Sequence, residues 1–350
     1  MMQAALYSLA TAVPPHILRQ SDVAAASRSL FGDRFDGFDR LARIFGTAGI
    51  VKRHAAMPIE WYYAPLGWPE RNAAFLEAAD TLFVEGATRA LCRAGLTGAD
   101  VDTVVTATST GIATPGIEAR MLTRMGFRQD VVRVPVFGLG CAAGVSGLTI
   151  AARLAEARPG TTVLFVTLEL CTLSFRLDKL TKANIVATAL FGDGAAACVL
   201  RAGDGGGIAG IEGGGSHTWP DTLDIMGWSV DPEGLGVIFA QAIPPFAEAH
   251  VGPAVAGILG RLGLDRADID RMVCHPGGSK VVDALERTFG LDQGALDHER
   301  AVIADYGNMS SPTVLFVLDR VIAAGLPARV VLSALGPGFS AACLALAAPA

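Results

Sequence analysis

The chain has 350 residues, of which 51% are hydrophobic and 18% charged, so it can bury a large core as two domain-sized units or one large double unit. Its net charge of -6 and the absence of Lys or Arg runs argue against nucleic acid or an anionic membrane as main partner, and favour a small-molecule substrate. The N-terminus lacks a basic region, and Pro14 and Pro15 interrupt its apolar stretch, so we expect no signal peptide and a cytoplasmic location. Six scattered cysteines without a CxxC pair predict reduced thiols, with no disulfide framework and no metal site.

The predicted elements form two similar series along the chain. Residues 87–106 realign with residues 255–274 at an offset of 168, which pairs Gly95 with Gly263. Each copy reads as helix, acidic turn, apolar strand, loop, helix, apolar strand, and then a glycine turn into another apolar run. The sequence therefore predicts an α/β protein built from two copies of one unit.

The two copies divide the chain into a predicted N-terminal half, residues 1–210, and a C-terminal half, residues 211–350. The first copy carries an insertion around residues 170–190, which is a suitable place for a substrate pocket or a subunit contact. The glycine-rich residues 203–216 join the halves and are predicted to form a flexible turn without a ligand.

The glycine-rich stretch "VPVFGLGCAAGVSGLTIAARLAE", residues 134–156, surrounds Cys141 and has three possible interpretations. A membrane helix needs about 20 apolar residues, but Pro135 and four glycines interrupt this stretch. A dinucleotide loop should follow the first strand of the chain, whereas this turn begins only at Gly138. The remaining interpretation is a turn that presents a cysteine nucleophile at the start of a helix.

Two further residues lie on loops that match this turn in the repeat. The offset places Cys141 beside Asn308, in "DYGNMSSPTVLFVL", and matches Ala107 to His275, in "VCHPGGSKVVDALE". A helix N-terminus is expected to lower the pKa of the Cys141 thiol. A neutral imidazole can accept the thiol proton, and an amide can donate to a developing oxyanion, so the set predicts acyl transfer.

The motifs "GLGCAAG", "HPGG", "YGNMSS", "LFGDGAAA" and "GPGF" resemble those of the type III, chalcone-synthase-like polyketide synthases. The resemblance implies the thiolase-like fold, with two pseudo-symmetric α/β halves in αβαβα layers, and a homodimer without metal or organic cofactor. It implies iterative decarboxylative condensation of malonyl-CoA onto an acyl starter, delivered by CoA or an acyl carrier protein. The alternative is a ketoacyl-ACP synthase III, which performs one condensation in fatty acid synthesis with the same three residue types. The motifs "HPGG" and "GNMSS" are typical of the type III polyketide synthases and distinguish them from ketoacyl-ACP synthase III.

The resemblance also implies roles for individual residues. Cys141 would carry the acyl chain, while His275 and Asn308 would polarise the malonyl thioester. Phe191 matches the gatekeeper between CoA tunnel and cavity, whereas Val237 replaces a second aromatic gatekeeper, which predicts a wider throat. The implied substrate-binding residues are Phe191, Val237, Ser174, Cys171, Ser109, Thr110, Thr114, Gly277, Gly278, Ser310, Gly336, Pro337, Gly338 and Phe339, and the candidates for CoA phosphates are Arg40, Arg43, Lys52 and Lys280. Thr114 would reach across the dimer interface.

The subtype resembles bacterial alkylresorcinol and alkylpyrone synthases, which take long fatty acyl starters. Small or aliphatic side chains at Cys171, Ser174, Val237 and Ala240 would permit a long apolar tunnel, in which each buried methylene contributes about 0.8 kcal/mol. Closure as a resorcinol or as a pyrone stays open at this stage. The aromatic residues 61–68 either line the acyl entrance or pack against the core.

Overall fold

A computed structural model describes residues 2–203 and 205–349 of the chain. The α-helices are α1 Gln20–Phe31, α2 Phe38–Leu41, α3 Arg43–Thr47, α4 Trp68–Arg93, α5 Ile117–Arg120, α6 Leu122–Met125, α7 Ala143–Ala157, α8 Lys182–Leu190, α9 Ile243–Arg261, α10 Ser279–Thr288, α11 Asp297–Tyr306 and α12 Thr313–Gly325. The strands are β1 Ala4–Ala12, β2 His16–Arg19, β3 Lys52–Ala55, β4 Thr103–Ala107, β5 Val132–Val136, β6 Thr162–Leu170, β7 Asp193–Ala202, β8 Ala209–Thr218, β9 Met226–Asp231, β10 Gly234–Phe239, β11 Arg271–Cys274, β12 Arg329–Gly336 and β13 Ser340–Ala347.

The main sheet shows the repeat directly. In the described ranges it has nine strands in the order β11-β12-β13-β8-β1-β7-β6-β4-β5. The two sides mirror each other, because β4 pairs parallel with β6 and β6 antiparallel with β7, while β11 pairs parallel with β12 and β12 antiparallel with β13. A short pairing of β1 with β8 joins the two half-sheets.

The elements stack in five layers. Helices α7 and α12 pack between the half-sheets and form the central core with the inner faces of both. Helix α4 covers the outer face of the first half-sheet, and α9 and α10 cover that of the second. Strands covered on both faces are largely apolar, as in the fully buried β6. The layered αβαβα architecture is therefore confirmed.

An acidic residue after an outer helix makes the same hydrogen bond in both copies of the repeat. Asp102 accepts a hydrogen bond of 2.8 Å from the N–H of Thr162, and Asp270 accepts one of 2.7 Å from the N–H of Arg329. Each carboxylate thus caps the start of the neighbouring parallel strand, β6 or β12. The equivalence of the two copies is confirmed at these positions.

The glycine-rich segment departs from its prediction. Its part from Ala209 onward forms β8, paired with β13, so it is a strand there and not a flexible turn. Packing explains the composition, because a Cβ on Gly214 would stand 2.6 Å from Thr149 Oγ1 of α7 and 2.8 Å from the carbonyl oxygen of Cys343. Only glycine lets the strand approach both neighbours.

The uncharged stretch around the cysteine turn divides into β5, a 3-10 helix Gly140–Ala142 and α7. Within the ranges that the structure covers, no helix is long and apolar enough to cross a membrane. Five of the six free cysteines are buried and only Cys92 is exposed, as expected for thiols that serve mainly as small apolar side chains.

Candidate active site

Cys141 lies on the 3-10 helix that runs into α7, at the centre of the molecule. Gly140 has a φ of +46°, and a Cβ there would stand 2.6 Å from Pro337, so the turn is compatible only with glycine. The Cys141 side chain is buried, and its thiol donates to Ser310 Oγ at 3.3 Å. Pro337, in the turn between β12 and β13, thus packs against the turn that carries the proposed nucleophile.

Asn308 lies between α11 and α12 with its side-chain amide held in one orientation. Its Oδ1 accepts a hydrogen bond of 2.8 Å from the N–H of Ser310, while Nδ2 donates to the carbonyl of Gly277 at 3.2 Å. The amide N–H groups therefore face the His275 loop, because the oxygen is engaged on the other side. This arrangement leaves one N–H of Nδ2 for a substrate oxygen.

His275 follows β11, where its N–H donates to the carbonyl of Ser333 at 2.7 Å. Its ring is buried, and Nδ1 has no hydrogen-bond partner among the described residues. Burial lowers the pKa of His275 to about 4, so the imidazole is neutral at pH 7. The loop continues to Gly277, which holds Asn308, and Ser310 links Asn308 to Cys141. The structure thus brings the three predicted catalytic residues into one connected site.

The pKa of Cys141 shifts in the direction opposite to the expectation. Burial raises the pKa of the thiol to about 12, which the hydrogen bond to Ser310 lowers only in part, and the nearby Glu169 raises it further. Desolvation outweighs the helix terminus here, because the thiol has little contact with water. The resting thiol is protonated, and a proton acceptor is needed to form the thiolate. In the described part of the chain no hydrogen bond joins Cys141 to His275.

Glu169 is a buried acid beneath the site that the motifs did not reveal. It accepts hydrogen bonds from the N–H of Ser109 at 2.9 Å, Thr110 Oγ1 at 2.8 Å and Ser311 Oγ at 3.1 Å, and burial raises its pKa to about 7. Ser109 Oγ accepts from the N–H of Gly140 at 3.2 Å. Ser109 and Thr110 therefore support the turn of the nucleophile from below. The signal in the sequence is a single acid inside the apolar strand β6.

Phe191 lines one of two neighbouring cavities, and the preceding residue, Leu190, lines the other. The first, the inner cavity, is enclosed by α1, α8 and the 3-10 helices Ile59–Tyr63 and Cys171–Ser174. Its lining residues are Leu18, Val23, Ala26, Ser27, Leu30, Arg53, Ile59, Tyr62, Tyr63, Cys171, Thr172, Ser174, Phe175, Asn184, Ala187, Thr188 and Phe191. The predicted pocket residues Cys171, Ser174 and Phe191 thus meet at this cavity, and the insertion of the first copy forms much of its wall.

The aromatic segment, residues 61–68, contributes side chains both to the lining of the inner cavity and to aromatic packing beside it. Tyr62 and Tyr63 line the inner cavity, while Trp61 packs edge-on against Tyr62 with ring centroids 5.1 Å apart. Tyr62 also forms a 2.6 Å hydrogen bond with Thr172. The segment is therefore a packed wall of the inner cavity.

Trp228 supplies the aromatic surface that Val237 lacks. The two residues are opposite each other in the β9–β10 hairpin, and the Trp228 ring lies edge-on to Phe191 with centroids 5.9 Å apart. An aromatic ring thus stands beside Phe191 although Val237 replaces the second aromatic gatekeeper, and the wider throat stays a prediction. The motif comparison missed Trp228, since only strand pairing places it across from Val237.

The second, the outer cavity, is lined by Leu190 and contains most of the predicted CoA-binding residues. Its lining includes Arg40, Arg43, Lys280, Gly277, Gly278 and, beyond the prediction, Lys182. Lys52 does not line it, because it lies on β3, paired with Arg19. Three of the four predicted basic side chains therefore line the outer cavity, and Lys182 lines it as a fourth in place of Lys52.

The remaining predicted residues fall into two groups. Gly336 packs on the cysteine turn, since a Cβ there would stand 2.6 Å from the Ala142 Cβ, and Phe339 is buried against Trp219. Gly338 lies in the same turn, beside Phe339. Thr114 is exposed on the loop after β4 and lines neither of the two cavities.

A buried cysteine on a helix-starting turn, with a neutral histidine and an oriented asparagine on the matching loops, defines an acyl-transferring enzyme of the thiolase-like class. The family model for chalcone and stilbene synthases, N-terminal domain, matches residues 2–204, and the C-terminal domain model matches residues 216–343. The chain belongs to this family: it is a type III polyketide synthase that condenses malonyl-CoA iteratively. This assignment supports the first sequence-based expectation over a ketoacyl-ACP synthase III.

The relatives differ in product. A 1,3,6,8-tetrahydroxynaphthalene synthase from Streptomyces peucetius subsp. caesius is 41% identical over 95% of this chain and 89% of its own length. The alpha-pyrone synthesis polyketide synthase-like Pks18 from Mycobacterium tuberculosis is 29% identical over 96% and 89%. The crystal structure of 1,3,6,8-tetrahydroxynaphthalene synthase from Streptomyces coelicolor A3(2) superposes with a TM-score of 0.93, at 28% identity and 99% coverage of both chains.

Proposed function

We propose that Cys141 carries the growing acyl chain while His275 and Asn308 activate malonyl-CoA. His275 accepts the Cys141 proton as the thiol attacks the starter thioester, and the CoA thiol leaves. Asn308 Nδ2 and His275 then donate to the malonyl thioester oxygen, so that carbon dioxide departs and an enolate remains. The enolate carbon attacks the acyl-Cys141 carbonyl and releases the thiolate. The oriented amide of Asn308 carries this assignment.

The starter is proposed to be a long-chain fatty acyl group that extends into the inner cavity, with closure to an alkylpyrone or alkylresorcinol. The cavity is lined by Cys171 and Phe191, by Leu18 of β2 and by Leu30 of α1. An acyl chain on Cys141 is proposed to enter it past Cys171, a buried apolar thiol of its wall. An alkyl chain gains free energy there with each buried methylene.

A second candidate is a chain built from malonyl units alone, and two features of the cavity favour it. Trp228 places a second aromatic ring against Phe191, and the buried guanidinium of Arg53 forms part of the inner wall. A poly-β-ketone carries oxygens that suit a polar wall, whereas an alkyl chain does not. One relative is named for a hydroxylated naphthalene, an aromatic product without an alkyl chain.

A starter panel separates the two candidates. Purified protein is incubated with malonyl-CoA, alone and with acyl-CoA starters of increasing length, and the products are identified by mass spectrometry. Preference for starters of about twelve carbons or longer supports the first candidate, because burial gains accumulate per methylene. Product from malonyl-CoA alone supports the second, and turnover of short aromatic starters only contradicts both.

A variant at the cavity wall provides the matched control for this panel. Ser174→Phe fills the inner cavity near Cys171 and is expected to shorten the accepted starter, whereas Ser174→Ala leaves the space open. Unchanged starter preference in Ser174→Phe would show that the chain does not enter this cavity.

The proposed homodimer forms at the β5 edge of the sheet. β5 is the last strand in the described order, and the side chains of Phe137 and Ile112 nearby are 62% and 51% exposed. Thr114 lies on the same loop as Ile112, which fits its proposed reach toward the partner. The outer cavity, with Arg40 and Lys280, is proposed to hold the CoA phosphates of either donor thioester.

A further inference from the structure

Arg53 on β3 is a buried cation with an unusual set of partners. It is 1% exposed, and Nη1 donates to the carbonyl oxygens of Thr188 at 2.7 Å and Phe191 at 3.1 Å. Nη2 donates to the side-chain oxygen of Gln20, while Nε has no partner among the described residues. The guanidinium therefore binds the backbone around the gatekeeper.

A buried charge without a carboxylate in contact needs a reason, since desolvation disfavours it. Burial lowers the pKa of Arg53 to about 10, and the charge of Asp193 raises it, so the group is still protonated at neutral pH. Its acceptors lie at the C-terminal end of α8, where the helix dipole favours a cation. The charge is thus retained where it fixes the end of α8.

That end of α8 is the backbone support of Asn308. The N–H of Asn308 donates to the carbonyl of Leu190 at 2.8 Å, and its carbonyl accepts from the N–H of Gly192 at 2.9 Å. These two partners flank Phe191, whose own carbonyl binds Arg53. A displacement of the Phe191 segment therefore moves the catalytic amide as well.

The packing around Arg53 leaves little room for such a displacement. A Cβ on Gly192 would stand 3.3 Å from the Arg53 Cβ, and one on Gly307 would stand 3.5 Å from it. The backbones before Asn308 and after Phe191 thus both pass beside the β-carbon of the same arginine, with no room for a side chain of their own to shift into. The hydrogen bonds and the close packing of Arg53 therefore both restrain the segment around Phe191, and the packing also restrains the segment before Asn308.

We propose that Arg53 is a positioning residue that sets the place of Asn308 and Phe191 together. Cys141 is carried by a different element, the 3-10 helix before α7, and within the described ranges no hydrogen bond of Arg53 reaches it. Arg53 therefore governs decarboxylation and condensation more than acyl loading. This inference rests on the roles proposed above for Cys141 and Asn308.

The test uses Arg53→Lys, which keeps the charge but cannot hold two carbonyls in the same fork. Acyl loading is followed as the mass increase of the intact protein with acetyl-CoA, whose two-carbon group is too short to extend along the inner cavity wall that Arg53 lines, and decarboxylation as carbon dioxide released from malonyl-CoA. We expect loading within about two-fold of the natural protein and decarboxylation reduced by about ten-fold or more, the scale of one misplaced hydrogen bond. Equal losses in both steps, or no loss in either, would overturn the proposal.

Coupling to Asn308 distinguishes positioning from general support. In an Asn308→Ala background, Arg53→Lys should reduce decarboxylation no further, because both changes act through the same amide. Additive losses would contradict the inference. Asn308→Ala alone tests the proposed function: if it decarboxylates as fast as the natural protein, the role of Asn308 fails irrespective of Arg53.

Two further variants guard against a trivial result. Arg128→Lys is the matched control, because Arg128 also donates to a carbonyl, that of Ala99, but far from the site, and it should change neither step. If Arg53→Lys does not fold, Gln20→Ala removes the partner of Nη2 instead and should give the same split with a smaller loss. Loss of loading alone in Gln20→Ala would contradict the proposal.

Discussion

The two halves of the molecule differ most between their last two strands. In the N-terminal half, β6 and β7 are separated by the 3-10 helix Cys171–Ser174 and α8, which line the inner cavity. In the C-terminal half, residues 337–339 join β12 to β13 directly, and Pro337 packs against Gly140 in the turn of the nucleophile. The connection in the N-terminal half therefore lines a cavity, whereas the equivalent connection in the C-terminal half packs against the turn that carries Cys141.

This difference separates the residues proposed to catalyse the reaction from those proposed to select the acyl chain. The proposed catalytic residues are held by backbone contacts, such as the His275 N–H to Ser333 and the bridge of Asn308 to Phe191 at the end of the insertion. The inner cavity is defined largely by side chains of the insertion, which can change while this backbone contact with Asn308 is kept. Variants that disturb these backbone contacts, the catalytic frame, should therefore affect rate, and variants of the cavity side chains should affect which chain is accepted.

The largest effect is expected from Cys141→Ala. Removing the nucleophile should reduce condensation by at least about a thousand-fold, since a catalytic unit loses most of its function with one member. The fold should survive, because the residue sits in a small-residue turn beside Ala142 and Gly140. Product formation is measured by mass spectrometry, and the oligomeric state by size-exclusion chromatography. Full activity in a folded variant would contradict the mechanism.

A smaller effect is expected from His275→Gln on the reactivity of the thiol. Burial raises the pKa of Cys141 to about 12, so without a proton acceptor the thiolate fraction is small at pH 7 and rises about ten-fold per pH unit. The rate of Cys141 alkylation by iodoacetamide should fall at least about ten-fold at pH 7 and regain speed only in alkaline solution.

The natural protein is the reference for that pH profile. His275 is neutral in this range because burial lowers its pKa to about 4, so its lone pair is free for the thiol proton. The attraction between thiolate and imidazolium is expected to offset the low basicity of the ring, and because the pair forms without net proton release the profile should be flatter. Identical profiles for the two proteins would show that His275 does not take the thiol proton.

The repeat made the frame, and the grouping of the three proposed catalytic residues, predictable from the sequence. Offsets of matched residues located His275 and Asn308 relative to Cys141, because equivalent strand ends of a duplicated sheet meet at its axis. Strand pairing across the β9–β10 hairpin is not encoded in any such offset, so Trp228 was missed. The pKa of Cys141 was misjudged for a related reason: the number of side chains that bury a thiol depends on packing, which a motif does not report.

The smallest effect is expected at the gate, from Trp228→Ala. The indole lies edge-on to Phe191, and its removal opens the space across from Val237 without touching the hydrogen bonds of Asn308. The preferred starter should become longer or bulkier, with turnover of the best natural starter changed by no more than about ten-fold, the range over which an apolar pocket discriminates. Trp228→Phe keeps an aromatic ring at the gate and should retain the natural preference. Competition between two starters of different length, read by mass spectrometry, measures the shift. If Trp228→Ala instead reduces the turnover of every starter equally, the hairpin belongs with the catalytic frame and not with chain selection.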